Sequence, residues 1–524
     1  MAAACLAALT SGCNLGSWAR NGFKVGPEYC RPMAPVASEW IDYQDPRVQS
    51  EEADLSRWWE VFGDPALNTL IGTAYVQNIS LRTAGARILQ ARAARRIAVG
   101  SVFPQVQEAF GSHSANKTSF RTASVPPEDL FPPFLGTRWP PRFFENYMAD
   151  FNLSWELDFW GRYRRAIEAA DAELDASIES YDDALVILLA EVAASYVQYR
   201  TFEKRLEYAR QNVKIQKDSL EITQLQAKVG TENALPYWQA KQNLETTEAA
   251  IPELETGKRR ANNALCVLLG MPPQDLQPML GEGDIPAAPS AVAVGIPADL
   301  LRRRPDVRRA ERAVAAQSAR IGIAESELYP HFVITGTLGV QADRLDRLFE
   351  TPPAMFGSVG PSFRWAILNY GRIVNNIAAQ DARFQELAFA YQETVLRAGR
   401  EAEDSLVAFL KAREQMEHLR QAMEAASMAS QLSLSRFTAG IENYTSVLVS
   451  QASLTNQQDR LAVSLGNMAL SLVSLYRALG GGWEMRLGGA GVMVSGPPAP
   501  PAGRIPAPAV EEPNETPPAP ANPE

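Results

Sequence analysis

Residues 151–163 read FNLSWELDFWGRY, and they decide the fold. Phe151, Leu153, Trp155, Leu157 and Phe159 alternate with Asn152, Ser154, Glu156 and Asp158. That is the period of a strand with one apolar and one polar face. After Gly161 the pattern changes. Arg162 to Val229 contains neither glycine nor proline, a run longer than an ordinary globular helix and typical of a coiled coil or helical rod. At ~1.5 Å per residue it spans roughly 100 Å. Gly230 ends it, and a returning helical run leads to Leu269 and Gly270.

The same text recurs at a constant offset of 210 residues. Trp155, Gly161 and Arg162 match Trp365, Gly371 and Arg372; Tyr181, Glu191 and Arg210 match Tyr391, Glu401 and Arg420. At the turn, Gly230, Glu232 and Asn233 match Gly440, Glu442 and Asn443, and Leu269-Gly270 matches Leu479-Gly480. One register kept over so long a stretch is an internal duplication: strand, very long helix, tight turn, returning helix. Upstream, Arg82, Ile97 and Pro104 match Arg308, Ile323 and Pro330 at an offset of 226. The first half therefore has 16 extra residues, expected in its inter-strand loop over residues 111–149.

Composition narrows the class. A net charge of -10 and a pI near 5.2 argue against a nucleic-acid partner. No run of 18 apolar residues predicts a transmembrane helix, which leaves a β-barrel open. Cys5, Cys13, Cys30 and Cys266 have neither metal-ligand nor disulfide-framework spacing. His113, His331 and His418 join no catalytic cluster. The glycines of 480–491 follow a helix, not a strand, and make a poor phosphate loop. No enzyme activity, catalytic residue, metal or cofactor is expected.

In chain order, residues 1–12 are expected to be a signal peptide cut short at its start, since no basic region precedes the apolar stretch. Ser11-Gly12-Cys13 looks like the end of a bacterial lipoprotein signal, with Cys13 the acylated (palmitate-bearing) N-terminus. Residues 13–57, proline-rich and aperiodic, should lie extended along the body. Residues 58–285 and 286–483 are the two repeats, and 484–524 a Gly/Pro-rich disordered tail. Asp64-Pro65 should cap a helix running to about Gly100, and a strand should run from Phe103 to about Phe110. Its apolar face would hold Val106 and Phe110, with Glu108 out of place.

Four amphipathic strands attached to such helices leave little room for a compact core. The apolar faces then meet lipid: Phe151, Leu153, Trp155, Leu157, Phe332, Ile334, Phe363, Trp365 and Ile367. Backbone groups in lipid must all be paired, so the sheet must close. Four strands cannot enclose water, because the smallest barrels need about eight. The barrel is therefore shared between chains. A trimer gives twelve strands; the strand pattern alone does not separate three chains from four.

These residues resemble a known family. Gly26-Pro27-Glu28-Tyr29 with Arg31-Pro32, Trp58-Trp59 through Asp64-Pro65, Trp155-Glu156-Leu157-Asp158 with Gly161-Arg162, Arg303-Arg304-Pro305-Asp306-Val307, and Arg436-Phe437 with Gly440, Tyr444 and Gln451 are similar to the TolC-like outer-membrane factors. The likeness is to the lipoprotein branch serving resistance-nodulation-division efflux pumps. It implies a mainly α fold with a small β part: a homotrimeric outer-membrane β-barrel, four strands per chain, continued by a periplasmic α-helical barrel. It also implies a passive exit duct for small molecules in the outer membrane of a Gram-negative bacterium. The partners implied are a periplasmic adaptor protein, an inner-membrane transporter and outer-membrane lipid. The turns at Gly230, Glu232, Asn233 and at Gly440, Glu442, Asn443 become the periplasmic tips where the adaptor docks. Many members carry an aspartate nine residues after the second tip glycine; here Val449 stands there and Gln239 in the first repeat, leaving Glu232 and Glu442 as the acidic groups near the entrance. Two rival readings are a type I protein secretion channel and a soluble coiled-coil scaffold. The scaffold leaves the four amphipathic strands unexplained, and the lipoprotein-like start favours efflux.

Overall fold

A computed structural model of the chain describes residues 15–49, 51, 54–117, 143–229, 234–289 and 291–488. It divides into a body, Met1–Trp483, and a terminal segment, Glu484–Glu524, whose described part is a short helix, Met485–Gly488.

The body is built on two long helices. Helix α3 runs Arg162–Val229 and α6 runs Arg372–Thr438, 68 and 67 residues made mostly of good helix formers; α3 has no glycine or proline, and α6 carries Gly399 in its interior. Asp158 satisfies the first free donors of α3, accepting from the N–H groups of Tyr163 and Arg164 at 3.0 Å each. Each long helix packs against its returning partner, α4 (Leu235–Leu268) and α7 (Tyr444–Ala478) respectively. By length and composition α7 could cross a membrane, but 61% of its apolar window is buried in the body, so it is a core helix.

The shorter helices are α1 (Pro65–Gln77), α2 (Ile79–Gly100) and α5 (Pro305–Ser326). Asp64 caps α1 as the sequence predicts, accepting from Ala66 N and Leu67 N, while Tyr196 of α3 donates to its second oxygen at 2.7 Å. The expected single helix to Gly100 is instead broken. Asn78 ends α1 and caps α2 through Leu81 N, and its amide donates to Leu268 O at 2.8 Å. An asparagine side chain competes with the helix backbone in this way, and composition alone hides it.

The principal sheet has four antiparallel strands in the order β1 (Val106–Lys117), β2 (Phe143–Leu157), β3 (His331–Ala342), β4 (Met355–Arg364). The first hairpin is longer than expected: β1 continues past Phe110 to Lys117, and β2 begins at Phe143, well inside the anticipated loop. Between them residues 118–142 lie outside the described residues.

The register shows where one extra residue of the first repeat sits. Trp155 Nε1 donates to Val102 O at 3.0 Å, and the equivalent Trp365 Nε1 to Leu328 O at 2.9 Å, so both repeats share one frame at the strand entrances. Yet Val106 pairs with Ser154, whereas its counterpart Phe332 pairs with Phe363, the equivalent of Leu153. One residue has been inserted before β1. It is Gln105, whose side-chain amide donates to Glu156 O at 3.2 Å and accepts from Glu156 N at 2.7 Å, imitating a strand pair. A slip of one residue moves every side chain to the other face. Val106, Glu108 and Phe110 therefore share a face with Ser154, Asn152 and Asp150, opposite to the expected apolar stripe. The misfit of Glu108 disappears, and not all the extra residues lie in the loop.

The core sits where α1, α3, α4 and α7 meet, with Leu67, Leu70, Ile71, Leu189, Val192, Leu265 and Leu472 fully buried. Between α5 and α3 runs a ladder of ion pairs: Arg308 to Glu179 at 2.6 Å, Arg309 to Asp183 at 3.1 Å, and Arg320 to Glu173. The N-terminal segment is strapped along this surface. Val25 N donates to Trp160 O, Arg165 to the carbonyls of Val25 and Gly26, Tyr29 Oη to Glu311 at 2.7 Å, and Arg47 to Glu414 at 3.1 Å. Burial and the Glu311 carboxylate together push the Tyr29 hydroxyl well above the usual phenol range.

Candidate functional site

The duct expected from the sequence needs an apolar band, a polar face and a distinct far end. The sheet carries an apolar face. Residues paired across strands share a face. Phe151, Trp155 and Leu157 pair with Leu338, Ile334 and Phe332, and Leu153 with Gly336; Phe332 in turn pairs with Phe363. These side chains form one continuous apolar face over β2, β3 and β4. Trp365 and Ile367 do not belong to it: β4 ends at Arg364, and both lie in the exposed connector to α6. The period-two pattern carried on past the last ladder bond, because apolar alternation persists where pairing stops.

The opposite face is polar and cross-linked. Thr337 donates to Asn152 at 2.8 Å, Asn152 to Asp150 at 2.8 Å and Gln341 to Asn146 at 2.8 Å. His331 Nδ1 lies 2.8 Å from Glu156. Where strands meet helices, rings gather: Trp18 packs on Phe23, Phe159 and Trp160, and Trp160 stacks on Tyr329. Aromatic rings concentrate where a barrel wall meets the headgroup layer. The outer edges of β1 and β4 have no neighbouring strand among the described residues.

The far end of the helices is closed by a small core. Phe437 and Tyr444, with ring centroids 5.4 Å apart, pack with Ala240 and Val447 and with Leu220, Ile222, Leu434 and Leu448, so all four long helices converge there. Burial raises the Tyr444 hydroxyl to about 12. Gly440 makes the turn with a φ of 71°; its N–H bonds Phe437 O and that of Ile441 bonds Arg436 O, the double closure of a left-handed helix end. Asn443 caps α7 through Ser446 N at 3.3 Å. Glu442 is half-buried and lies 3.5 Å from Arg436, so its charge is answered within its own turn. The first-repeat counterparts Gly230, Glu232 and Asn233 lie outside the described residues, as does Cys13. Val449 is exposed on α7, while Gln239 is half-buried on α4.

Between the tip and the core, α3 meets α7 through polar groups. Gln451 donates to Ser219 at 2.8 Å, Asn212 to Gln458 at 2.7 Å, and Arg205 to both oxygens of Asp459 at 2.6 and 3.2 Å. The sequence reading singled out Gln451 only as a family residue; the others are scattered polar positions on helices, without a periodic signal. Among the described residues no group of His, Cys, Asp or Glu could hold a metal.

The family model for outer membrane efflux proteins matches twice, over residues 70–271 and 296–481. The chain belongs to the outer membrane efflux protein family. It is an outer-membrane channel protein of an efflux system. The solved outer-membrane channel OprN is 30% identical to this efflux protein, with a TM-score of 0.80 over 88% of this chain and 99% of that one. The toluene efflux pump outer membrane protein TtgF of Pseudomonas putida is 30% identical over 478 residues, 89% of this chain and 96% of the relative. Nodulation protein T of Rhizobium leguminosarum bv. viciae is 28% identical over 92% of this chain and 93% of its own.

Proposed function

We propose that this protein is the homotrimeric exit duct of a tripartite pump. It would pass small molecules that an inner-membrane transporter of the resistance-nodulation-division class hands over through a periplasmic adaptor. The observation that carries the reading is the four-stranded sheet with a lipid-type face, a polar face and two open edges, continuous with helices of roughly 100 Å. Three copies make twelve strands, enough for a water-filled lumen. Relatives named for toluene efflux and pyoverdine export support small organic cargo over secreted protein.

In this reading the turns at Gly230, Glu232, Asn233 and Gly440, Glu442, Asn443 meet the adaptor, being farthest from the sheet. Residues 58–285 and 286–483 act as the two repeats of one body. Cys13 carries lipid beside the barrel: Trp18, five residues on, packs on Phe159 and Trp160 at the strand–helix junction, within ~18 Å of chain.

The test is export. A host deleted for its own outer-membrane factor, given this chain with its genetic-neighbour adaptor and transporter, should regain resistance to small amphiphiles. Purified protein should form water-filled channels in planar bilayers. A well-folded monomer in water without detergent would refute the duct. Cys13→Ala should lose radiolabelled acyl chains yet keep the channel in the membrane. An unmodified residue 13 in mass spectra of the native protein would refute the anchor.

A further inference from the structure

The two repeats are folded alike but surrounded differently. Helix α5 of the second repeat is wedged between α3 and α6. Its first-repeat equivalent, α2, has α3 as its one substantial helix neighbour among the described residues, and its other side is open. What α2 lacks is the counterpart of the contact that α3 makes with α5, a long helix of the other repeat.

At the junction of sheet and helices the missing contact can be named. Inside the chain, Trp160 stacks on Tyr329, with centroids 4.4 Å apart and rings 24° from parallel, and its Nε1 donates to Pro330 O at 2.9 Å. The offset of 210 carries Trp160 to Tyr370, and the offset of 226 carries Tyr329 and Pro330 to Phe103 and Pro104. The paired tryptophan bonds to Val102 O and Leu328 O fix both offsets at this spot, before the Gln105 insertion. Tyr370 is 98% exposed and Phe103 is 63% exposed. Two large rings, each equivalent to one half of a formed stack, stand bare on the same chain.

The far end repeats the pattern. Ile222 and Leu448 pack into one cluster, and their equivalents Leu432 and Trp238 are each 60% exposed. Both open contacts join a first-repeat element to a second-repeat long helix, so one occupant, a second copy of this chain, supplies both. Its fit at each place is already displayed inside the chain.

We propose that Tyr370 of one copy stacks on Phe103 of the next, its hydroxyl donating to the Pro104 carbonyl in place of the indole, while Leu432 meets the next copy's Trp238. This rests on the shared-barrel reading and gives it a specific interface. It also accounts for Ile367 and Leu368, exposed beside Tyr370.

The test uses the full chain in native outer membranes, with Cys30 and Cys266 replaced by serine. Chains carrying Tyr370→Cys and Phe103→Cys, with different tags, are co-expressed and treated with a short bismaleimide. A cross-linked dimer bearing both tags is expected, and neither single variant should give it alone. A chain with both substitutions should yield a cross-linked trimer. The second pair, Trp238→Cys with Leu432→Cys, should behave likewise. An intact oligomer by native mass with no mixed-tag band would overturn the pairing and leave the trimer standing. A monomer by native mass would overturn the shared barrel itself. Labelling of Tyr370→Cys by a bilayer-dissolved maleimide in place of cross-linking would assign this surface to lipid and overturn the proposal.

Discussion

Gly440 and Gly270 close two helices in the same way, and alanine at each separates two costs. Both have a φ of 71°. At both, the following N–H reaches back five residues, Ile441 to Arg436 O at 3.0 Å and Met271 to Cys266 O at 2.9 Å. Alanine in this left-handed conformation costs roughly 1–2 kcal/mol. Stiffening of the unfolded chain offsets about 0.4–1 kcal/mol of that, leaving a net cost of about 0–1.6 kcal/mol. The surroundings then decide. A Cβ on Gly440 meets nothing within 4 Å, whereas one on Gly270 stands 2.5 Å from the carbonyl oxygen of Gln77. That oxygen is backbone and cannot rotate aside. It ends α1 just before Asn78, which both caps α2 and holds Leu268 O. Forcing an atom into such a contact adds about 1–3 kcal/mol, so Gly270→Ala should cost about 1–4.6 kcal/mol in all. The assay is denaturant unfolding in detergent followed by helical circular dichroism, comparing midpoints because a multi-part channel has no single unfolding free energy. Gly440→Ala should sit close to wild type, and Gly270→Ala should unfold well before it. Equal shifts, or the reverse order, would refute the reasoning and place an unseen neighbour against Gly440.

Arginine at Leu338, mid-strand on the apolar face, should cost about 2–4 kcal/mol per site and reduce the folded band on unboiled gels, whereas Trp365→Arg, beyond the strand, should cost about 0–1 kcal/mol. The Arg47 guanidinium holds the Asp45 carboxyl down at about 2, against an ordinary 3.8. A lowered pKa gives stabilisation that is full above 3.8 and lost as pH falls to about 2, so the midpoint difference between wild type and Asp45→Asn should be constant above that window and vanish below it. Glu442→Lys sets a second cation beside Arg436, now 3.5 Å from the carboxylate, and should shift bilayer selectivity toward anions; an unchanged reversal potential would place this turn away from the ion path.

What the sequence made legible follows from the length scale of each signal. The breaker-free run Arg162–Val229 became a helix with those bounds, since propensity and periodicity agree over so many residues. The duplication survived because a dozen matches in one register cannot slip. The break at Asn78 and the insertion at Gln105 were invisible, because each turns on one side chain bonding one backbone group. Gln105 then inverted a whole strand face, so a local event had a long-range consequence that alternation could not report. At the tip, the Gly-Glu-Asn triplet was legible as a turn and cap. The pairing of Glu442 with Arg436 was not, because it joins a side chain at the end of α6 to one beyond the turn.

The repeats also divide the work of holding neighbours in register. Where α3 meets α7 within the chain, three directional links fix the seam: Arg205 to Asp459, Asn212 to Gln458 and Ser219 to Gln451. Asn212, Ser219 and Gln451 are buried, and buried polar groups are satisfied in one register only, because a shifted helix leaves each unpaired. The offset of 210 maps these positions to Gln415, Ala422 and Ala429 on α6 and to Ala249, Glu248 and Lys241 on α4. None of the three links can form between those residue types in the same pairs. With the ring closed as proposed, the seam within a chain is set by hydrogen bonds and an ion pair. The seam between chains must take its register from elsewhere, from the rings at Tyr370 and Phe103 and from the strand pairing of β4 with β1. Apolar contact tolerates sliding that a bidentate ion pair does not. In that ring the three pins lie within each chain and have no counterpart at the equivalent positions between chains.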